Sequence, residues 1–246
     1  MFSGLFHNFL YLPIYNLLVF LVDVIPGGDV GIAVVLATVI VKLVLMPLSL
    51  RAVTTQRRMK LIEPKLKELK EKYKSDRERQ AKEMLALYRE HEIKPFSSIL
   101  GILIQLPIVI ALYFVFSREA LLNIDPALLY SFVPVPTAVS PLFLGVFPVV
   151  EGSIALAVIA ALAQFAHAHL SVPLTKKVEG EKRSTAEDLG HMMALQARFV
   201  LPFIIGVIGF ITSGAVAIYF ITSSLVGILQ EFVVRNMKHP EPVSAV

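Results

Sequence analysis

The placement of positive charge constrains this chain more than any other feature. No Lys or Arg occurs from Met1 to Val41, and Lys42 then stands alone inside an apolar run. Fourteen basic residues crowd between Arg51 and Lys94. Arg118 is isolated, Lys176, Lys177, Lys182, Arg183 and Arg198 form a second cluster, and Arg235 and Lys238 follow in the tail. Between these blocks the chain is almost free of charge. Hydrophobic residues make up 56% of it and charged residues 17%, against about 45–50% and about 25% in a soluble domain. That is more apolar surface than a soluble core can hide, and it excludes a disordered or fibrous chain.

A helix needs about 20 mostly apolar residues to cross a hydrocarbon core of about 30 Å. Five stretches fit: 30–50, 96–116, 150–170, 199–212 and 215–234. The fourth is short, and only Ser213-Gly214 separates it from the fifth, which predicts a tight hairpin. The expected fold class is an all-α polytopic membrane protein with a five-helix transmembrane core. Positive residues favour the cytoplasmic side. Loops 51–95 and 171–198 and the tail 235–246 hold 21 Lys and Arg, whereas loop 117–149 holds one. This alternation predicts the N-terminus outside and the C-terminus inside. Residues 5–25 are apolar but interrupted by Pro13, Asn16 and Asp23. They read as an amphipathic helix in the outer interface, within an N-terminal segment 1–29 that Pro26-Gly27-Gly28 turns into the first span. A sixth span is the competing reading. No basic n-region or small-residue cleavage site marks a secretory signal, and the lack of Arg argues against a transit peptide.

Loop 51–95 is patterned. Met59, Ile62, Leu66, Leu69 and Tyr73 follow 3- and 4-residue spacing, as do Ala81, Met84, Tyr88 and His91 in a second seam. Ser75 and Glu78 have the spacing of a capping box. Two helices folded back on each other are expected, joined at residues 74–76, with Pro64 kinking or restarting the first. The 14 basic residues here face 8 acidic ones. Such a face sets orientation, and it also suits anionic lipid headgroups or ribosomal RNA, by charge and not by sequence.

Lys42 lies 12 residues into its span. A Lys at the bilayer centre costs roughly 2.5–3.5 kcal/mol on insertion scales. Its reach of about 6 Å falls short of a half-thickness of about 15 Å. Glu151 and Glu231, the carboxylates of the spans, sit near span ends. The sequence therefore predicts a hydrated cavity in which water, hydroxyls and carbonyls solvate the ammonium. Thr38 is one turn away on the same face. Gln105, and a stripe of Tyr219, Thr222, Ser223 and Gln230, are further candidates to line the cavity. Thr222 and Ser223 read equally well as small residues for helix packing.

Zero Cys excludes disulfides, thiolate metal sites and a Cys nucleophile. No P-loop, H-E-x-x-H or G-x-S-x-G motif occurs. His167 and His169, two apart on a helix, make a poor metal pair. No enzymatic activity, cofactor or metal is expected, and any transport would be passive or driven by a partner.

Three segments resemble the YidC/Oxa/Alb family of membrane protein insertases. They are IVKLVLMPLSLRAVTTQRRMKLIEPKLKELKEKY at 40–73, EMLALYREHEIKPFSSILGILIQLPIVIALYF at 83–114 and SGAVAIYFITSSLVGILQE at 213–231. The LIQLP element is the most specific piece. The resemblance implies five core spans around a hydrophilic groove, open to cytoplasm and lipid but closed outside. It implies a single positive side chain in that groove, at the position of Lys42, where relatives more often carry Arg. Lys keeps the charge without the planar fork of Arg. Gln105 looks like the groove glutamine and Tyr219 like a groove aromatic. Phe220 replaces a second Tyr, Ser224 stands where relatives can have Asn, and Lys94-Pro95 replaces a commoner Asn-Pro. The chain lacks the large external domain, lipobox Cys and long basic tail found in various relatives. The implied function is to insert nascent membrane proteins passively and assist their folding in the bacterial cytoplasmic (inner) membrane. Nascent membrane proteins are the implied substrates. The Sec translocon, the ribosome and anionic lipids are candidate partners, and no sequence-specific nucleic acid is expected. A small anion channel or carrier is the alternative, and an assembly scaffold a third reading.

Overall fold

The computed structural model describes residues 2–91, 93, 97–117, 123–171 and 192–236, with the side chains of 97–105 outside the description. Lys94-Pro95, Arg118 and the basic group at 176–183 lie outside the described residues, as does the side chain of Gln105. The chain divides into two compact units, Met1–Val44 with Leu106–Leu229 and Leu45–Gln105 with Gln230–Val246. The described residues are mostly helical, and the protein is an all-α polytopic membrane protein. Among the described residues, four helices are long and apolar enough to cross a membrane, and a fifth joins them if Val30–Val44 and Met46–Thr55 count as one broken span.

In the first unit, α1 (Phe2–Phe6) passes through a wider π turn at His7–Tyr11 into α2 (Leu12–Val24). Pro13 offers no N–H to the helical ladder, which accounts for the local widening before it. Gly4–Val24 is one of the four helices with the length and composition of a span. Pro26–Gly28 then turns the chain, and α3 (Val30–Val44) begins. Asp29 caps it, one carboxylate oxygen accepting the Ile32 N–H at 2.9 Å. The helix α6 (Ser97–Ser117) belongs to this unit from Leu106 onward. A short two-stranded hairpin follows, β1 (Leu142–Phe143) and β2 (Phe147–Pro148), with Phe143 opposite Phe147. The unit is completed by α7 (Ile154–Ser171), α8 (Leu201–Ile211) and most of α9 (Gly214–Asn236).

The fourth span is not short. Helical backbone runs from Met192 to Ile211, 20 residues, so the helix draws its extra length from the side of the basic loop. Gly206 and Gly209 of α8 let neighbours approach closely. A Cβ at Gly206 would fall 3.1 Å from that of Ala161 on α7, and one at Gly209 3.1 Å from that of Ala217 on α9. Small residues at contacts are how helices pack where lipid removes the hydrophobic drive.

In the second unit, α4 (Met46–Lys72) and α5 (Arg77–Glu90) form the expected helical pair. Ile62, Leu66, Leu87 and Ile93 are its buried core, with Met59, Leu69, Met84 and Tyr88 packed around them. The spacing pattern found most of this seam but missed Leu87 and Ile93. Two details differ from expectation. Helix α4 continues through Pro64 without a restart. The N-cap of α5 is Asp76, not Ser75, its carboxylate accepting the Arg79 N–H at 3.0 Å. An ionised cap acceptor is stronger than a hydroxyl.

Leu66→Ala should destabilise this pair by about 2–5 kcal/mol, read as faster amide exchange at residues 58–90 in the intact protein. Burial pushes the Tyr88 phenol above its ordinary value. Because the folded pair holds that proton more tightly, stability present below pH ~10 falls as pH rises above it. Tyr88→Phe should flatten this alkaline rise in exchange.

Candidate functional site

Span 30–50, expected to be continuous, ends as a helix at Val44, and α4 starts at Met46. Pro47 explains the break. It lacks the N–H that the Leu43 carbonyl would accept in a continued helix. Lys42 therefore occupies the last turn of α3 and not its middle. A cation suits that position, because helix C-termini carry partial negative charge and unanswered carbonyls. The side chain is half-buried.

One turn earlier, Thr38 is 4% exposed and its hydroxyl donates to the Val34 carbonyl at 2.6 Å. Thr38 and Tyr219 line the same cavity of about 20 Å³, together with Ile14, Leu17, Val41 and Leu112. This is room for about one water. The lining apart from Thr38 and Tyr219 is aliphatic, a drier surround than the sequence predicted. Ile14 and Leu17 come from the N-terminal helix, which sequence reasoning left out of the site.

The polar stripe on α9 divides. Tyr219 faces the cavity shared with α3. Thr222 is buried, with its hydroxyl donating to the Ile218 carbonyl at 2.9 Å, and Ser223 is buried beside it. Ser224 turns to α7, where its hydroxyl donates to Gln164 Oε1 at 2.8 Å. One turn on, Gly227 leaves space for His167, since a Cβ there would sit 2.5 Å from His167 Nε2. Gln164, His167, Ser224 and Gly227 thus form two tiers of one α7–α9 seam. Sequence reasoning missed Gln164, although an uncharged amide inside an apolar span was a visible signal. In the second unit Gln230 is buried and its amide nitrogen has no partner among the described residues, while buried Glu231 lies 3.6 Å from Arg235. No cluster of three or more His, Asp or Glu among the described residues is arranged to hold a metal.

In the first unit, the amide of Asn16 also joins α2 to the loop at 123–149. It donates to the Leu128 carbonyl at 2.9 Å and accepts the Tyr130 N–H at 2.7 Å. The Tyr15 hydroxyl accepts the Asp125 N–H at 3.1 Å. An interruption in an apolar run thereby becomes a clamp.

Comparison with known proteins fits this geometry. Residues 21–241 match the model of the family described as 60Kd inner membrane protein. The chain belongs to that family. A relative from Clostridium tetani, named membrane protein insertase YidC, is 30% identical over 213 residues, covering 87% of this chain and 84% of its own. One of the same name from Fusobacterium nucleatum is 28% identical, covering 85% and 87%. A third, from Haemophilus ducreyi, is 29% identical over 94% of this chain, which spans only 38% of that longer protein. The 60Kd match runs from within α2 to beyond α9, so both the Lys42 turn and the α7–α9 seam fall inside the family's common core.

Ser224→Ala should lower stability by about 1 kcal/mol by orphaning Gln164. Gly227→Ala should cost about 1–3 kcal/mol by overpacking His167. Thermal unfolding of the detergent-solubilised protein checks both.

Proposed function

We propose that this 60Kd-family chain is a membrane protein insertase that inserts nascent membrane proteins passively and helps them fold, with Lys42 as its working charge. The observation that carries the reading is the placement of Lys42. It is half-buried in the last turn of a broken apolar helix, one turn from the Thr38–Tyr219 cavity. The relatives' printed name supports this activity and not the anion channel or carrier.

A substrate span arrives with a polar, often acidic, segment that must cross. In bare lipid its unsatisfied backbone groups cost several kcal/mol each. A hydrated groove reaching Lys42 shortens the apolar path, and the ammonium attracts the acidic segment transiently. Transfer of the substrate's apolar span into lipid then drives release. Thr38, Gln105, Tyr219, Thr222, Ser223 and Ser224 serve as groove positions in this scheme, Ser224 by holding α9 against α7. The N-terminus lies outside and the C-terminus inside. The basic α4–α5 pair faces the cytoplasm, where it receives substrate and meets anionic headgroups, and the ribosome or Sec translocon docks on the same side. The N-terminal helix lies in the outer interface. The loop backbone at 125–130 is bonded to Tyr15 and Asn16, near the midpoint of the Gly4–Val24 helix. In a membrane-crossing α2 that loop would sit at the bilayer centre, where irregular backbone has no place in contact with lipid.

In reconstituted vesicles given a single-span substrate with an acidic tail, Lys42→Arg should keep insertion near its normal level. Lys42→Ala should reduce it several-fold. Equal insertion by Lys42→Ala would sink the role of the charge.

A further inference from the structure

We infer that the tip of the β1–β2 hairpin, residues 142–146, is a lipid anchor that dips into the leaflet at the membrane face where α3 and α9 begin. The inference rests on the chain's being a membrane protein and not on Lys42 or on the insertase reading.

The hairpin is held at the level of the first helical turns. The Leu144 N–H donates to the second carboxylate oxygen of Asp29, the residue that caps α3, at 2.8 Å. The Val30 N–H donates to the Ser140 carbonyl at 3.2 Å, and the Ser140 N–H to the Gly28 carbonyl at 2.8 Å. The ring of Phe143 lies against α3, where a Cβ on Gly31 would fall 2.5 Å from it. On the other side the Ala215 N–H, in the first turn of α9, donates to the Val149 carbonyl at 2.9 Å. A segment pinned to the starts of two membrane helices lies at the edge of the hydrocarbon.

Its chemistry suits that edge and not water. No charged residue occurs from Pro126 to Val150. Leu144 is 62% exposed and Val146 68%. The turn itself carries the second argument. The Val146 N–H donates to the Phe143 carbonyl at 3.1 Å, and both residues between, Leu144 and Gly145, have positive φ, 53° and 71°. Turns of this kind favour Asn or Asp followed by Gly, because a short polar side chain tolerates the left-handed region. Leu is strained there and gains nothing from water. An apolar side chain kept in a left-handed position at a projecting tip makes sense where the tip meets lipid.

The chain contains no Trp, so one introduced Trp reports alone. Leu144→Trp and Val146→Trp would be placed in the full-length protein in vesicles whose acyl chains are brominated in their upper half. Phe203→Trp, at an exposed site on α8, gives the lipid limit, and dissolved N-acetyltryptophanamide gives the water limit. Anchoring predicts blue-shifted emission and quenching at least half that of Phe203→Trp. Quenching at the water limit overturns the inference. With red emission the tip is in water; with blue emission it is covered by protein, such as a second copy. In a Val146→Trp background, Leu144→Asn relieves the turn and preserves the fold. It should cut the quenching at least twofold, and unchanged quenching would remove Leu144 from the anchor.

Discussion

A hydrocarbon layer supplies no hydrogen-bond partner, so each polar group carried into such a bundle must be answered from within the chain. Several buried polar residues follow this constraint, though the amide nitrogen of Gln230 finds no partner among the described residues. The hydroxyls of Thr38 and Thr222 close on carbonyls four residues earlier in their own helices. Ser224 closes on Gln164 of a neighbouring helix. Asn16 uses both ends of its amide on loop backbone, and Asp29 uses both carboxylate oxygens on backbone N–H groups. These contacts fix which helix faces meet. Lipid does not force apolar side chains together as water does, so polar closures and close contacts at Gly206, Gly209 and Gly227 carry much of the specificity.

The loop at 123–149 shows how far this reaches outside the helices. It has almost no regular structure of its own, yet its backbone groups find partners on α2, on Asp29 and on the start of α9. Those partners are far apart in sequence, which makes the loop a tie between α2 and the starts of α3 and α9. The exposed apolar tip follows from the same arrangement, since stitching both strands to helix starts leaves residues 144–146 to project.

What the sequence made legible was whatever depends on local pattern or on gross charge. The apolar runs marked a polytopic all-α membrane protein because length against bilayer thickness is a one-dimensional constraint. The 3- and 4-residue spacing from Met59 to Leu69 located the α4–α5 core for the same reason. Long-range pairings were not legible. Asn16 read as an interruption because its partners lie 112 and 114 residues away. Gln164 was passed over because its value is visible only beside Ser224. The break at Leu45 was a local feature that could have been read, since Pro47 sits in plain view. The continuous hydropathy from 30 to 50 concealed it, hydropathy being blind to a missing N–H. The pairing of Ser224 was hidden as that of Asn16 was: five steps of about 100° put it well apart from Tyr219 around the helix axis, and its partner Gln164 lies 60 residues away.

The break changes the energetics of Lys42. Counted from Val30 at about 1.5 Å per residue, the residue lies about 18 Å into a hydrocarbon layer of about 30 Å. That leaves about 12 Å to the far boundary, of which the side chain itself can reach about half. A continuous helix would wall off that remaining distance with its own closed ladder. A helix that ends two residues later instead brings its C-terminal dipole to the turn that carries Lys42. The proline opens the ladder at the Leu43 carbonyl, and a cation in the last turn suits the partial negative charge of a helix end. This is a more specific reason for a basic residue at position 42 than its depth alone.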